Sequence, residues 1–363
     1  MARLDRMVVA GELAGPEDLN RAVVRALAEC LRRAGAQHPV RSRRLTRVVT
    51  QHALHASAGL LAEAAAQHGP DILREQREQR AGFQTRLRTR WGKALDLLEL
   101  HVGYALEAGV RFHGRNKPAE GDWTYNALIR LHARACLIAG EVQALLGSGF
   151  ASGAHARWRT LHEVAVVAFF IAKHGQDTAR RYTLHDAIES CRAAVEHQQH
   201  AAALGQTPIE PEELNELEAE RDALLAEFGP GYGTPYGWAS AVLGGRPTFR
   251  DIEVDVALDQ WRPYYRMASH ATHAGPKALS FDLGLLRTEV MLAGPSNAGL
   301  ADPGDAAAIS LFQVTVALLN LRPDAGDVAT MLFLGELTQQ VGDAFFAAHD
   351  ELARDEERLR EGE

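Results

Sequence analysis

Apolar residues recur every three or four positions along most of this 363-residue chain, which is the spacing of amphipathic helices. No segment shows the sustained alternation of apolar and polar residues that is typical of strands. Alanine-rich runs with few β-branched clusters also favour helix. The pattern predicts an all-α protein in which a helical N-terminal unit precedes a larger up-and-down helical bundle.

Start and stop signals divide this pattern into helices. Near the N-terminus, the predicted helices cover residues 16–36, 40–69 and 72–114, the last with a possible interruption at Gly82. Asp122 is the expected cap of the next helix, and Gly175 is expected to end the one after it. The predicted helices beyond residue 120 cover residues 123–146, 154–174, 178–204, 211–229, 264–274, 305–319 and about 327–360.

The polar stretch HGRNKPAEGD, residues 113–122, has the composition of a linker. We therefore expect two domains, a basic helical region over residues 1–118 and an acidic helical bundle over residues 119–363. Within the bundle, residues 205–245 are expected to form an insertion that ends in the glycine-rich loop GPGYGTPYGWASAVLGG. Such a loop either covers a site or only connects two helices.

Charge is distributed unevenly between these two regions. The first 120 residues hold 20 Lys and Arg against 13 Asp and Glu, a net charge of +7, whereas the other 243 hold 19 against 34, a net charge of −15. A basic surface can recruit a polyanion such as RNA, or dock onto acidic surface of the same chain. The candidate RNA-binding residues are Arg86, Arg88, Arg90 and Lys93, with Phe83 and Trp91 as the aromatic residues able to stack on bases.

Composition excludes several classes of protein. Hydrophobic residues make up 46% of the chain and charged residues 24%, as in ordinary globular proteins. The longest apolar run, VAVVAFFIA, is much shorter than a membrane-spanning helix, so we expect no membrane association. Three cysteines without a CxxC pair indicate neither a disulfide framework nor a zinc site, which agrees with a reducing cytoplasm.

Sequence motifs exclude the familiar hydrolase and nucleotide-binding sites. The chain contains no GxxxxGK[ST] phosphate loop and no GxSxG nucleophile elbow. His162 and Glu163 begin an HExxH-like stretch, but a valine stands where the second histidine is required. Although the chain has 16 histidines, the Glu-x-x-His repeats of di-iron bundles are missing, and we expect neither a metal nor an organic cofactor.

Two segments hold the candidate functional residues. Arg159 and Glu163 are four positions apart and share one helix face, where they form either a structural ion pair or part of a polar cavity with His162. The second segment is RPYYRMASHATHAGPKAL, residues 262–279, in which Pro263 is suited to a first helical turn and Gly275-Pro276 to helix termination. On a helix over residues 264–274, one stripe holds four polar residues: Arg266, Ser269, His270 and His273.

This stripe has the chemistry needed to cleave RNA without a metal. Histidine exchanges protons near neutral pH, and arginine neutralises the charge that builds on a phosphate. The Arg-x6-His spacing resembles the R-x4–6-H motif of the HEPN superfamily, although Met267 replaces the polar residue often found after the arginine. The resemblance implies an RNase of a toxin–antitoxin or phage-defence system, with a site shared across a homodimer.

A second resemblance covers about residues 120–290. The segments ALIRLHARACLIAGEVQALL, AHARWRTLHEVAVVAFFIAKHG, RRYTLHD and YYRMASHATHAGPK are similar to the core of an uncharacterised bacterial helical family, a domain of unknown function. This similarity supplies no activity. It implies a unit built around five residues: Arg159, Glu163, Tyr265, Ser269 and His273.

The residues thus lead to two hypotheses. The first is a metal-independent endoribonuclease in which Arg266 binds the scissile phosphate, His273 is the acid or base, and Ser269, His270 and Arg159 support them. The second is a non-catalytic helical sensor or protein-interaction module, in which the polar stripe is structural and the acidic 211–229 helix docks a partner such as an antitoxin.

Overall fold

The computed structural model describes residues 42–286 and 291–362. Every regular element in these two ranges is a helix, which confirms the predicted all-α class. The α-helices are α1 (Ser42–Arg115), α2 (Trp123–Gly147), α3 (Ala151–His174), α4 (Gln176–Leu204), α5 (Pro211–Phe228), α6 (Ser240–Leu243), α7 (Phe249–Asp255), α8 (Arg262–Thr272), α9 (Lys277–Ser280), α10 (Ala301–Leu319) and α11 (Ala325–Glu361). The predicted helix over residues 16–36 lies outside the described residues.

Helix α1 replaces two predicted helices. It runs for 74 residues through Gly69, Pro70 and Gly82, so the predicted break before residue 72 is wrong. An internal proline removes one N–H donor and costs about 3 kcal/mol of helix stability, which the many good helix formers on both sides offset.

The chain divides into two compact units, residues 1–83 and residues 84–363. The described part of the first unit, residues 42–83, is helical throughout. The second unit contains residues 84–115 of α1 and the helices α2 to α11. The predicted domain boundary at residue 118 lies in the loop between α1 and α2, and it stays a prediction.

The core of the second unit is formed by α2, α3 and α10, which pack on one another. Helix α11 packs on α10, helix α4 on α2, and helix α8 on α3. The turns are as the sequence predicts: the side chain of Asp122 accepts a hydrogen bond from the Tyr125 N–H at the start of α2, and Gly175 ends α3 with φ 75°. None of the helices in the described ranges combines the length and apolar character needed to cross a membrane.

The glycine-rich segment 229–245 is part of the core. It forms two 3-10 turns, Pro230–Gly233 and Gly237–Ala239, followed by α6. Tyr232 is fully buried and Trp238 is 4% exposed, and both pack in one apolar cluster with Phe170 of α3. The segment therefore connects helices by packing its aromatic side chains inward.

Candidate functional site

The helix that holds the polar stripe ends earlier than its sequence predicts. Helix α8 covers Arg262–Thr272, and His273 is its C-cap residue with an extended backbone, φ −113° and ψ 143°. His273 is therefore the residue at which the chain leaves the helix, and the predicted helix, which ran to Ala274, is two residues too long. The three residues that do lie on α8 are Arg266, Ser269 and His270.

The side chains of these residues differ in exposure and in bonding. Arg266 and His273 are exposed, and His270 is half-buried. No carboxylate within the described ranges forms an ion pair with Arg266, and Glu163 contacts Arg159 and Tyr265. The Ser269 hydroxyl donates to the Tyr265 carbonyl at 2.8 Å, and the His273 N–H donates to the Ser269 carbonyl at 3.1 Å. Ser269 thus holds the end of the helix, while Arg266 and His273 face solvent.

Tyr265 joins α8 to α3. Its hydroxyl donates to Glu163 Oε1 at 2.6 Å and accepts from Arg159 Nη2 at 2.8 Å, and the guanidinium carbon of Arg159 is 4.5 Å from the Tyr265 ring centroid. Arg159 and Glu163 also form the predicted ion pair, with 3.3 Å between Nε and Oε1. Burial and the Glu163 carboxylate raise the pKa of Tyr265, so its phenol stays protonated. These three residues form an anchor between the two helices.

A second anchor, which the sequence did not predict, lies beside the first. His162 Nε2 is 3.0 Å from Glu253 Oε1, and both side chains are buried. The other oxygen of Glu253 accepts from Arg262, the first residue of α8, at 2.5 Å. The only signal in the sequence that could have located Arg262 is Pro263 beside it, because proline is common in the first turn of a helix. Glu253 belongs to α7 and is separated from His162 by 91 residues, so no local spacing could have paired them.

A cleft of about 400 Å³ opens where α8 ends. Its walls come from the beginning of α3, from the last turn of α8 and from residues 273–283. Both His270 and His273 line it, whereas Arg266 does not. The hydroxyl of Ser152 accepts a hydrogen bond from the Leu283 N–H at 3.1 Å and thereby joins two of the walls.

Neighbouring aromatic rings along α3 lead from this cleft into the core. His155 lines the cleft, and its ring centroid lies 5.2 Å from that of Trp158. The ring centroid of His162 lies 5.5 Å from that of the same tryptophan. Trp158 is fully buried and donates its indole N–H to Ser310 Oγ at 3.0 Å. Burial lowers the pKa of His155 to about 4, so its imidazole is neutral at physiological pH.

The four predicted RNA-binding residues lie on α1 and have different environments. Arg86 and Lys93 are exposed, whereas Arg88 pairs with Asp96 and Arg90 pairs with Asp355. The possible stacking residue Trp91 is fully buried and donates to Asn297 Oδ1 at 2.9 Å, so it is not available to a base. Trp91 is therefore a residue of the hydrophobic core.

Several histidines are core residues. His101 and His132 are buried beside the hydroxyls of Thr338 and Thr315, and burial lowers the pKa of each imidazole to about 4. In the described part of the chain, no three His, Cys, Asp or Glu side chains come together in a group able to hold a metal ion. Of the three cysteines, Cys136 and Cys191 are buried free thiols.

The site lies within a segment that is similar to a family of other proteins. Residues 125–289 match the model of a family of unknown function, DUF5677. This match confirms the predicted resemblance to an uncharacterised domain, and it includes both anchors, the end of α8 and the cleft. No curated protein and no solved structure matches the chain.

Proposed function

We propose that this protein is a metal-independent endoribonuclease whose site is the end of α8 and its cleft. One observation carries the proposal: Arg266 is exposed and has no ion-pair partner in the described residues, and two histidines that line an open cleft follow it four and seven residues later, His270 and His273. A cation and two proton-transfer groups next to an open cleft suit a phosphodiester substrate.

The roles of these residues follow from the chemistry of RNA cleavage. One histidine, His270 or His273, accepts the proton of the 2′-hydroxyl as that oxygen forms a bond to phosphorus. The bond from phosphorus to the 5′-oxygen breaks, and the second histidine donates a proton to the leaving oxygen. Arg266 stabilises the negative charge on the phosphate during this step. The products are a 2′,3′-cyclic phosphate and a 5′-hydroxyl, so no water or metal is consumed.

The residues around this site support it without reacting. Tyr265, Arg159 and Glu163 bind one another and hold α8 against α3. His162 has the same structural role through Glu253. Ser269 supports the end of α8, because its hydroxyl donates to the Tyr265 carbonyl and its backbone carbonyl accepts the His273 N–H.

Binding of the RNA backbone is assigned to Arg86 and Lys93, the two basic candidates that are exposed without an ion-pair partner in the described residues. Arg88 and Arg90 contribute less, since each already neutralises a carboxylate. The homodimer and the toxin–antitoxin or phage-defence role rest only on the resemblance of the Arg-x6-His spacing. A cytoplasmic location agrees with the buried free thiols of Cys136 and Cys191.

A non-catalytic sensor or protein-interaction module is the second candidate. It is favoured by exposed apolar side chains on two helices of the second unit: Leu100 and Tyr104 on α1, and Leu332 and Phe333 on α11. The rings of Tyr104 and Phe333 are in edge contact at 4.9 Å, so apolar surface continues from one helix to the other. Exposed apolar patches of this kind mark protein-binding surfaces. The acidic helix α5 remains a predicted docking site for a partner.

Cleavage of varied single-stranded RNAs by the pure protein in EDTA tests the proposal. We expect His273→Ala to lower the cleavage rate by about 10²–10⁴-fold, the usual contribution of a general acid or base. Arg266→Ala should also lower it. His200→Ala is the matched control, because it removes an exposed histidine from α4. If wild-type protein cleaves no RNA, or cleaves it at the rate of His273→Ala, the nuclease proposal is wrong and the interaction module is favoured.

A further inference from the structure

A groove runs along the surface where α1 meets α11. It consists of two adjoining depressions of about 690 and 370 Å³, which share Tyr104 and Glu107 in their described lining. The first follows one face of α1 from Asp96 onwards, and the second passes between α1 and residues 326–333 of α11. From Asp96 to Arg111 this α1–α11 groove is about 22 Å long, at 1.5 Å per helical residue. Its described lining shares no residue with the cleft at the end of α8.

The floor of the α1–α11 groove is apolar and has the spacing of helix contacts. Leu100 and Tyr104 are one helical turn apart on α1, and Ala329 and Phe333 are one turn apart on α11. The side chains of Leu100, Tyr104 and Phe333 are between 43% and 51% exposed. Two such rows receive a helix whose own apolar residues recur at every third or fourth position. The length of the groove corresponds to about 15 residues of such a helix.

Gly103 leaves the middle of the groove open. It lies within α1, where glycine is less favourable than alanine. A Cβ at Gly103 would meet nothing within 4 Å, so packing inside the described chain does not require a glycine there. The missing side chain lets another backbone come close to α1 between Leu100 and Tyr104.

The charge of the groove selects the kind of helix that fits. The described lining includes three carboxylates, Asp96, Glu99 and Glu107, against one guanidinium, that of Arg111. Asp96 pairs with Arg88, whereas Glu99 and Glu107 form no ion pair within the described ranges. Two free carboxylates beside an apolar floor attract lysine and arginine and repel acidic groups.

The same carboxylates disfavour two other occupants. A second copy of the chain bound through this face would bring Glu99 and Glu107 of both copies into one interface, with Arg111 as the basic residue of the lining to offset them. An RNA backbone would be repelled for the same reason.

We propose that the α1–α11 groove binds an amphipathic helix of a partner protein, about four turns long, whose apolar stripe is flanked by lysine and arginine. The apolar stripe packs on Leu100, Tyr104 and Phe333, and the basic residues pair with Glu99 and Glu107. This inference gives the partner class of the interaction module, the second candidate above, and it does not depend on nuclease activity.

Selection from a display library of helices of about 15 residues, with the full-length protein as target, tests the proposal. Each library member has leucines at positions i, i+4, i+7 and i+11, and its flanking positions are randomised. We expect the selected helices to be enriched in lysine and arginine at the flanking positions. In fluorescence anisotropy, a selected helix should bind at least about tenfold more tightly than a counterpart with glutamate at those positions.

Three variants locate the bound helix. Gly103→Leu places a side chain in the open part of the groove, so it should weaken binding about tenfold or more. Gly114→Leu is the matched control, because it lies on the same helix outside the groove and a Cβ there also meets nothing within 4 Å. The double variant Glu99→Gln, Glu107→Gln should reduce the preference for the basic over the acidic helix about three- to tenfold. Equal Tm values for Gly103→Leu and Gly114→Leu show that the fold is retained, and the double variant decides if they differ.

The proposal is overturned if no helix is selected, if the selected helices are acidic or uncharged at the flanking positions, or if Gly103→Leu binds them as well as Gly114→Leu. A wild-type dimer in light scattering that Gly103→Leu dissociates also overturns it, because a second copy then occupies the groove. RNA cleavage in EDTA is measured separately, and neither result there changes the conclusion about the groove.

Discussion

Glu253 provides the most direct test of how α8 is held in place. Its side chain is fully buried, and its two oxygens contact His162 on α3 and Arg262 on α8. Glu253→Gln keeps the shape of the side chain and one acceptor oxygen, but it removes the charge that pairs with Arg262. The perturbation therefore weakens one connection between α7 and α8 without creating a cavity.

The magnitude follows from the burial of each group. Breaking a buried ion pair by neutralising one partner costs about 3–5 kcal/mol when the other charge stays buried. The Arg262 side chain is 29% exposed and can regain water, and the glutamine side chain of the variant retains the contact with His162. We therefore expect Glu253→Gln to lower the free energy of unfolding by about 2–3 kcal/mol, which corresponds to a drop in Tm of roughly 3–5 °C for a unit of the size of residues 84–363.

Differential scanning calorimetry of the full chain measures this effect. The matched control is Asp259→Asn, an equally conservative change at an exposed acid a few residues away, for which a change within about 0.5 kcal/mol is expected. The reasoning is refuted if Glu253→Gln unfolds at the same temperature as Asp259→Asn, because a buried charge that pairs with Arg262 cannot be neutralised without cost.

Two further predictions concern α10. Burial and the neighbouring Asp302 raise the pKa of Asp305 to about 6. Between about pH 4 and pH 6 the folded protein therefore keeps a proton that the unfolded chain has lost, and the free energy of unfolding falls as the pH rises. Asp305→Asn should raise Tm near pH 7.5 and lose this advantage near pH 4, and an advantage independent of pH would contradict the assignment. A Cβ at Gly304 would lie 2.5–2.7 Å from ring atoms of the buried Phe345, whereas one at Gly140 meets nothing within 4 Å. In urea denaturation Gly304→Ala should cost about 1–3 kcal/mol and Gly140→Ala should add about 0.5–1 kcal/mol, and equal effects would show that the Phe345 ring can move aside.

The sequence predicts much of the bundle because its helices have strong local end signals. Asp122 and Gly175 mark the beginning of α2 and the end of α3 where the structure has them. Periodicity alone missed the continuity of α1, since Pro70 is a helix breaker whose effect depends on the helical stretches on either side. Local signals thus locate most helices, and they overstate the interruptions.

The candidate site is predictable only where its residues are close in sequence. The spacing of four residues identifies Arg159 and Glu163 as a pair on one helix face, and the same spacing identifies Arg266 and His270. The early end of α8 is not predictable, because Gly275 and Pro276 mark only the last point at which a helix can continue, whereas the backbone is already extended at His273. Glu253, distant in sequence from His162, needs the three-dimensional structure.

Because His273 lies just beyond α8, the number of residues between it and Arg266 is under a weaker constraint than it would be within one helix. Two residues on one helix can share a face only at intervals of three, four or seven, so any insertion or deletion between them rotates one away. A histidine on the extended segment after the helix has no such phase restriction, and its direction is set by the backbone of that segment. An arginine–histidine interval of variable length is then compatible with one geometry, provided that the arginine stays on the last turns of the helix and the histidine follows its end.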